Sequence, residues 1–450
     1  MLTYHFCPLS NPNSPSNVHV FGCKDTLFFV CMQVFRNFYS NFAAIIYQKH
    51  IIVIMNTIIN NKTKGHARVE VADVLRGLAV MGIIILHSIE HFNFYSFPDT
   101  AGQCEWLRFT DKAIWDGLFF MFGGKAYAVF ALLFGFSFFI QDDNQRMRGN
   151  DFRLRFCWRL VLLFVFGNIN ACFFTAEVLV LYSLVGFILP LCCRLKDKWV
   201  LVLACVLMLQ PMPLYFVVRC LCDPDFVAPQ LPTRSLWDAT FAVQSGGTFL
   251  ETVKVNLWEG QLASLAWAWD YGRVFQTASL FLLGMLIGRR GLFRKENLHL
   301  WSTILAWSLV AFFPLYGLNN MLPEYIDNKS LLSSLSLIVK SLSNFAFMMM
   351  LVSGVMHLFY STRLHDRLRG IMPYGRMSLT NYISQSVIGS MLFYNWGFGL
   401  HRYLGITASA MVGVAIFVVQ LAFCRWWLKS HSHGPLEYVW KKLTWIGKRS

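Results

Sequence analysis

Stretches of about twenty predominantly apolar residues recur along most of this chain, and each is long enough to cross the ~30 Å hydrocarbon core of a bilayer as one helix. They fall at about 74–94, 114–140, 157–174, 177–193, 199–221, 274–288, 298–318, 331–360, 378–397 and 406–428. In lipid every backbone N–H and C=O must be satisfied within the chain, and helices do this segment by segment. The expectation is an all-α polytopic membrane helix bundle of about ten transmembrane helices. Composition points the same way. Of 450 residues 56% are hydrophobic and only 14% charged, whereas a soluble domain carries roughly 25% charged residues. Disordered, collagenous, coiled-coil and small disulfide-rich classes are excluded.

The formal net charge is +15, from 39 Lys and Arg against 24 Asp and Glu. The cations lie in the gaps between apolar runs, so lipid explains them better than nucleic acid, and no nucleic-acid partner is expected. Basic clusters occupy every second gap: Lys62, Lys64 and Arg68; Arg146, Arg148, Arg153 and Arg155; Arg194, Lys196 and Lys198; Arg289, Arg290, Arg294 and Lys295; Arg363, Arg367, Arg369 and Arg376; Lys429, Lys441, Lys442, Lys448 and Arg449. The intervening gaps hold Asp99, Glu105, Asp223, Asp225, Glu324 and Asp327. The alternation places both ends in the cytoplasm and the protein in the inner (plasma) membrane. The long outer gap, 222–273, interleaves Phe, Leu and Trp with polar residues from Trp237 to Trp269 and is expected to form amphipathic helices along the interface; an ordinary folded loop is the alternative.

Residues 1–54 differ from the rest. A polar stretch, Ser10 to Ser16, precedes an apolar run broken by Arg36, Asn37, Asn41, Lys49 and His50. An extra span is one reading; a start of translation at Met55, before a basic leader, is the other. Residues 55–450 then form a single transmembrane domain. The 12 cysteines lie mostly inside apolar runs without C-x-x-C spacing, so buried thiols are expected rather than a disulfide framework. There is no Walker A motif, no G-x-G-x-x-G on a strand–helix junction and no H-E-x-x-H. His431 and His433 read as a solvated pair, and no metal is expected.

Ionisable residues inside spans are costly and mark function by default. The first span carries Asp73, Arg76, His87, Glu90 and His91. Eleven steps of ~100° return His87 to within about 20° of Arg76, with a rise of ~16 Å, so one stripe runs from one membrane face inward. An interfacial Asp73–Arg76 pair with a core histidine would explain the same residues structurally. Lys125 sits mid-span beside Gly123 and Gly124, too deep to snorkel easily, and needs an anion such as a donor phosphate or Glu177. Asn168, Asn170, Thr175 and Glu177 cluster at a turn, where helix capping is the simpler role. Asp270 with Arg273 and Gln276, Lys340 with Asn344, and Arg376 with Asn381 and Gln385 complete the set, and side chains of this kind often only join helices.

Several motifs carry a family resemblance. Asp73-x-x-Arg76-Gly77, Lys125 before Phe130-Ala-Leu-Leu-Phe-Gly135, Phe281-Leu-Leu-Gly-Met-Leu-Ile-Gly-Arg289, Gly375-Arg376-Met-Ser-Leu-Thr380-Asn381-Tyr382 and Gly434-Pro435-Leu-Glu437-Tyr-Val-Trp440 occur in order over about residues 68–446. Together they resemble the YeiB-like family of multi-pass bacterial inner-membrane proteins, a domain of unknown function, with the motif region at 280–446. That family is grouped with transmembrane acyltransferases, including the acyltransferase-three type that modifies cell-surface glycans and the lysosomal heparan N-acetyltransferase. The acyltransferase-three type has Arg-Gly at the start of its first span and His eleven residues later, as Arg76, Gly77 and His87 stand here. This chain departs at Asn170, where a family histidine is expected.

The resemblance implies a membrane-bound acyltransferase moving an acyl group from a cytoplasmic acyl-CoA-type donor to an envelope saccharide or lipid-linked acceptor. Acyl-CoA would be a co-substrate, with no tightly bound cofactor. His87 is the expected base or acyl carrier, oriented by Asp73 or Glu177. Arg76 and Lys125 would attract donor phosphates. Asn170, Arg273, Arg376 and Asn381 are candidate substrate contacts. The alternatives are a transporter or exporter of a small anionic solute, in which the same cations line an access path, and a non-catalytic membrane protein.

Overall fold

The computed structural model describes residues 68–98 and 103–446. The readings of residues 1–54, of the leader with Lys62 and Lys64, and of Asp99, Lys448 and Arg449 fall outside them. The described residues are helical throughout, without a strand. The first run forms α1 (Glu70–Ile89) and ends in a turn at 90–94. The second, expected as one helix over 114–140, is instead two: α2 (Glu105–Phe122) and α3 (Ala126–Met147), separated at Gly123–Lys125 with Gly124 at φ 74°. A left-handed glycine there interrupts the helix where only a residue without Cβ fits cheaply. α4 (Arg153–Ala171), α5 (Val178–Val185) and α6 (Ile188–Cys192) follow.

The run at 199–221 is also broken. α7 (Asp197–Met208) and α8 (Pro211–Cys222) meet at 53°. Pro211 and Pro213 lack the N–H groups that would continue α7, and Gln210 takes a left-handed φ of 57°. The outer gap folds as expected into helices: α9 (Thr233–Gly246), α10 (Phe249–Val255), a π-helical turn (Asn256–Gly260) and α11 (Gln261–Asp270). α12 (Arg273–Arg289), α13 (Leu298–Tyr325), α14 (Lys329–Ser361), α15 (His365–Arg369), α16 (Met372–Arg376), α17 (Ser378–Phe393), α18 (Ile406–Trp427) and α19 (Pro435–Thr444) complete the order.

All ten apolar runs therefore lie on helices. Among the described residues six helical stretches are long and apolar enough to cross a membrane, or seven if α7 and α8 make one span. The other three runs fall short on length: α5 with α6, α12 with 17 residues, and α17 with 16. Burial orders the bundle. The apolar window of α1 is 78% buried and that of α13 only 17%, so α1 is the axis and α13 lies at the rim. α18, α16, α3, α2 and α17 pack around α1.

The two C-terminal motifs explain one another. α17 starts after Met377 without a side-chain cap of its own, which leaves first-turn N–H groups orphaned. Glu437, from the first turn of α19, supplies the acceptor: Oε1 takes the N–H of Leu379 at 2.7 Å and of Thr380 at 3.1 Å, and Oε2 takes the Thr380 hydroxyl at 2.6 Å. That hydroxyl in turn accepts the Leu436 N–H at 3.1 Å. Burial pushes the Glu437 carboxyl up, against the pull of these donors. Glu437→Ala strands three donors and is expected to cost about 1–3 kcal/mol in thermal unfolding in detergent, with Glu437→Gln losing less. A raised folded pKa means that the protonated acid is favoured by folding, so this stability is present at low pH and is lost as pH rises through the folded value. Glu437→Gln is expected to remove that fall.

Candidate functional site

Three polar clusters stand out, two at the ends of α1 and the third at the break between α2 and α3. The first lies at the start of α1. Asp73 is buried and accepts from Arg68 Nε at 2.6 Å and Arg76 Nη1 at 2.9 Å. Arg76 Nη2 donates to Ser137 Oγ at 2.8 Å. The i,i+3 pairing expected from spacing is present, and Arg376 lies within electrostatic range of Asp73 and Arg68 while donating to the Ser432 carbonyl at 3.1 Å.

The second cluster closes the other end of α1. His87 Nδ1 lies 2.8 Å from Glu90 Oε1, and His91 Nδ1 lies 3.0 Å from the same oxygen. Tyr95 Oη donates to Glu90 Oε2 at 3.2 Å. Glu90 therefore takes the orienting role expected of Asp73 or Glu177. The i,i+3 spacing of His87 and Glu90 is the signal in the sequence that could have pointed to it. The turn that brings Tyr95 back is strained: Phe94 and Tyr95 stand at φ 56° and 54°, uncommon for aromatic residues and typical of positions held by function. Phe174 and Trp237 cover the imidazoles, with ring centroids 4.9 Å from His87 and 5.6 Å from His91. Trp237 belongs to α9, so the amphipathic segment roofs this cluster. With Nδ1 held by a carboxylate, Nε2 of His87 has no hydrogen bond among the described residues and is the nitrogen left for chemistry. Two imidazoles and a carboxylate with ligand atoms within 4.8 Å of one another are also a set that a divalent transition metal accepts.

The third cluster sits at the break between α2 and α3. Lys125 is buried, and its ammonium has the Phe119 carbonyl at 3.5 Å and the rings of Phe120 and Phe347 at 5.8 and 5.3 Å. Glu177 does not reach it; that carboxylate caps α5 through the Leu179 N–H and accepts from Asn170. Arg273 stacks over Tyr127 at 4.3 Å and Trp267 at 5.3 Å, donates to Gln276 Oε1 at 3.1 Å, and with Lys340 bears electrostatically on Lys125. Aromatic contacts run from this cluster towards the second: Phe119 to Trp115 at 4.5 Å, and Trp115 to Tyr95 at 6.4 Å. Lys125 and Arg273 thus come together, and ring contacts through Phe119, Trp115, Tyr95 and His91 lead from their neighbourhood to His87. Arg76 does not; it keeps its own partners at the opposite end of α1. Asn381 belongs to a buried network, donating to the Tyr374 carbonyl at 2.9 Å while Gln420 donates to Ser384 Oγ at 2.7 Å and Gln385 to Tyr374 Oη at 2.6 Å.

Long apolar helices around a buried axis, with a few charged groups buried among them, define a polytopic α-helical membrane protein. Residues 287–447 match the family described as protein of unknown function (DUF418), so the C-terminal part of the chain is similar to that family. It is 25% identical over 406 residues to "Uncharacterized protein YxaH" of Bacillus subtilis (strain 168), covering 85% of this chain and 96% of that one. It is 26% identical over 401 residues to "Uncharacterized 39.9 kDa protein in amylase 3'region" of Bacillus acidopullulyticus, covering 85% of this chain and 95% of that one. "Uncharacterized protein YeiB" of Escherichia coli (strain K12) is 36% identical over 70 residues, 16% of this chain and 18% of that one. No solved structure matches the chain.

Proposed function

We propose that the protein is a membrane-embedded acyltransferase that uses acyl-CoA from the cytoplasm and an envelope saccharide or lipid-linked acceptor from the outer side. The observation that carries this reading is the His87–Glu90 pair under α9. A carboxylate on Nδ1 fixes the tautomer and orientation of the ring, which is what a general base needs. Nε2 takes the proton of the acceptor hydroxyl or amine as its oxygen or nitrogen attacks the thioester carbonyl. The C–S bond then breaks, and the leaving thiolate receives that proton from the imidazolium. Tyr95 and His91 hold Glu90 in place. The alternation of basic gaps supports an orientation in a plasma membrane with both chain ends in the cytoplasm, in which Arg76 would attract the phosphates of acyl-CoA on the donor side and His87 would stand towards the acceptor side.

The test is acyl-CoA turnover by purified protein in nanodiscs, with and without saccharide acceptors, compared with His87→Ala. Equal turnover in both rules the mechanism out. Export of a small anionic solute is the second reading, favoured by the broken helices at Lys125 and Gln210, since discontinuous spans at a charged centre are common in transporters. Solute flux in proteoliposomes without a covalent product supports that reading instead.

A further inference from the structure

Three interrupted helices begin at one place. α3 starts after Lys125, α8 after Gln210 and α12 after Gly272, and none of the three has a side-chain cap. Their adjacency is shown by contact. A Cβ on Gly124 would stand 3.2 Å from Arg273 Nη2 and 3.0 Å from Asn344 Nδ2, and one on Gly272, itself at φ 64°, would strike the Gln210 side chain. Gln210 donates to Ser341 Oγ at 3.0 Å, and Gln276 donates to the Ser341 carbonyl at 3.3 Å. The starts of α3 and α12 present orphan N–H groups, α8 with its two prolines adds only that of Met212, and each start brings the positive end of a helix dipole.

Three cations join them. Lys125 is 8% exposed, and its 3.5 Å approach to a carbonyl is at the limit of a hydrogen bond. Arg273 Nε is buried without a partner. Lys340, on the opposing face of α14, feels the charge of Arg273. Among the described residues no carboxylate forms an ion pair with any of the three. The acid next to Arg273 in the chain, Asp270, accepts instead from Thr233 Oγ1 at 2.5 Å. Like charges drawn together at a site that runs from buried Lys125 through half-buried Arg273 to exposed Lys340 are unfavourable without a counter-ion. A planar guanidinium fork with two flanking ammonium groups matches the charge and geometry of a phosphate better than that of a single carboxylate.

We infer that Lys125, Arg273 and Lys340, at the meeting of these three helix starts, bind a phosphate group of the substrate. The link to the acyl acceptor rests on the acyltransferase reading; the phosphate site does not. Phosphate is carried either by a lipid headgroup or by a soluble ester.

The test uses full-length protein in phosphatidylcholine nanodiscs with inorganic phosphate as probe and thermal unfolding as readout. The wild type is expected to gain Tm saturably with phosphate, because a ligand of the folded state alone stabilises it by mass action. Lys340→Gln, on a side chain open at the surface, and Arg273→Lys, which keeps the charge but loses the fork, are expected to raise the half-saturating concentration about tenfold or more, as loss of a charge-assisted contact does. Lys329→Gln, the same charge change eleven residues earlier on α14, is expected to respond like the wild type. Nanodiscs with phosphatidylglycerol that abolish the phosphate response assign the group to a lipid; an unchanged response assigns it to a soluble ester. A wild type that phosphate does not stabilise, or a Lys340→Gln variant with the wild-type half-saturation, overturns the inference. His87→Ala is expected to keep the phosphate response, so failure of acyl transfer leaves this site standing.

Discussion

His87→Ala is expected to lower acyl-CoA turnover by about 10²–10⁴-fold, the usual contribution of a positioned general base, with Tm close to that of the wild type. The small stability effect follows from position. The imidazole closes the end of α1 against the single rings of Phe174 and His91 rather than filling the bundle axis. Glu90→Gln separates a base held by a carboxylate from a histidine that acts alone. The amide can still hydrogen-bond to Nδ1 but no longer balances a developing imidazolium. It is expected to lose less activity than His87→Ala and to displace the pH profile of turnover, which a purely structural role would leave in place. Chelation provides a further separation. If His87 is a base, turnover survives EDTA; if His87, Glu90 and His91 hold a metal, EDTA removes both activity and stability.

Gly284→Leu is expected to be among the most destabilising single changes, at about 3 kcal/mol or more by thermal unfolding in detergent, the upper range for overpacking a closed interface. α12 and α3 touch backbone to backbone. A Cβ on Gly284 would collide with the Leu132 carbonyl and stand 2.9 Å from the Phe136 nitrogen, and one on Gly135 would collide with the Phe281 carbonyl. Neither backbone can give way without breaking its own helical ladder. The pair is a reciprocal small-residue contact of the kind that lets membrane helices approach closely. Gly354→Ala, in α14, is the control, because its Cβ would meet nothing within 4 Å. It is expected to be neutral or to stabilise by about 0.5–1 kcal/mol, the helix-propensity difference between the two residues. A Gly284→Leu variant that melts with the wild type would show that α3 and α12 are not packed in this way.

His87 and Gly284 sit in motifs visible from residue order, yet their roles differ in how far that order reveals them. Gly135 and Gly284 lie in apolar runs with small residues at helix-packing positions, so a close contact was foreseeable, although the facing helix was not. The Asp73–Arg76 pair followed from spacing, and so did the amphipathic helices between Trp237 and Trp269. Two spans were misjudged as continuous. At 114–140 Gly123 and Gly124 end a helix inside the apolar run. At 199–221 the prolines and the left-handed Gln210 bend the run by 53°. Glu177 was matched with Lys125 on charge alone, whereas its capping of α5 takes the carboxylate elsewhere.

Apolar run length and the placement of charge between runs are properties read one segment at a time, because each helix in lipid must satisfy its own backbone. Those properties were enough for an all-α membrane bundle with its densest set of ionisable residues on the first span. Which charge meets which is a different matter. It depends on where helices break and which ends come together, and the energies that decide it are differences between alternative pairings of groups hundreds of residues apart. The meeting of Lys125, Arg273 and Lys340, the cap that Glu437 lends to α17, and the choice of Glu90 as the partner of His87 all arise at that level.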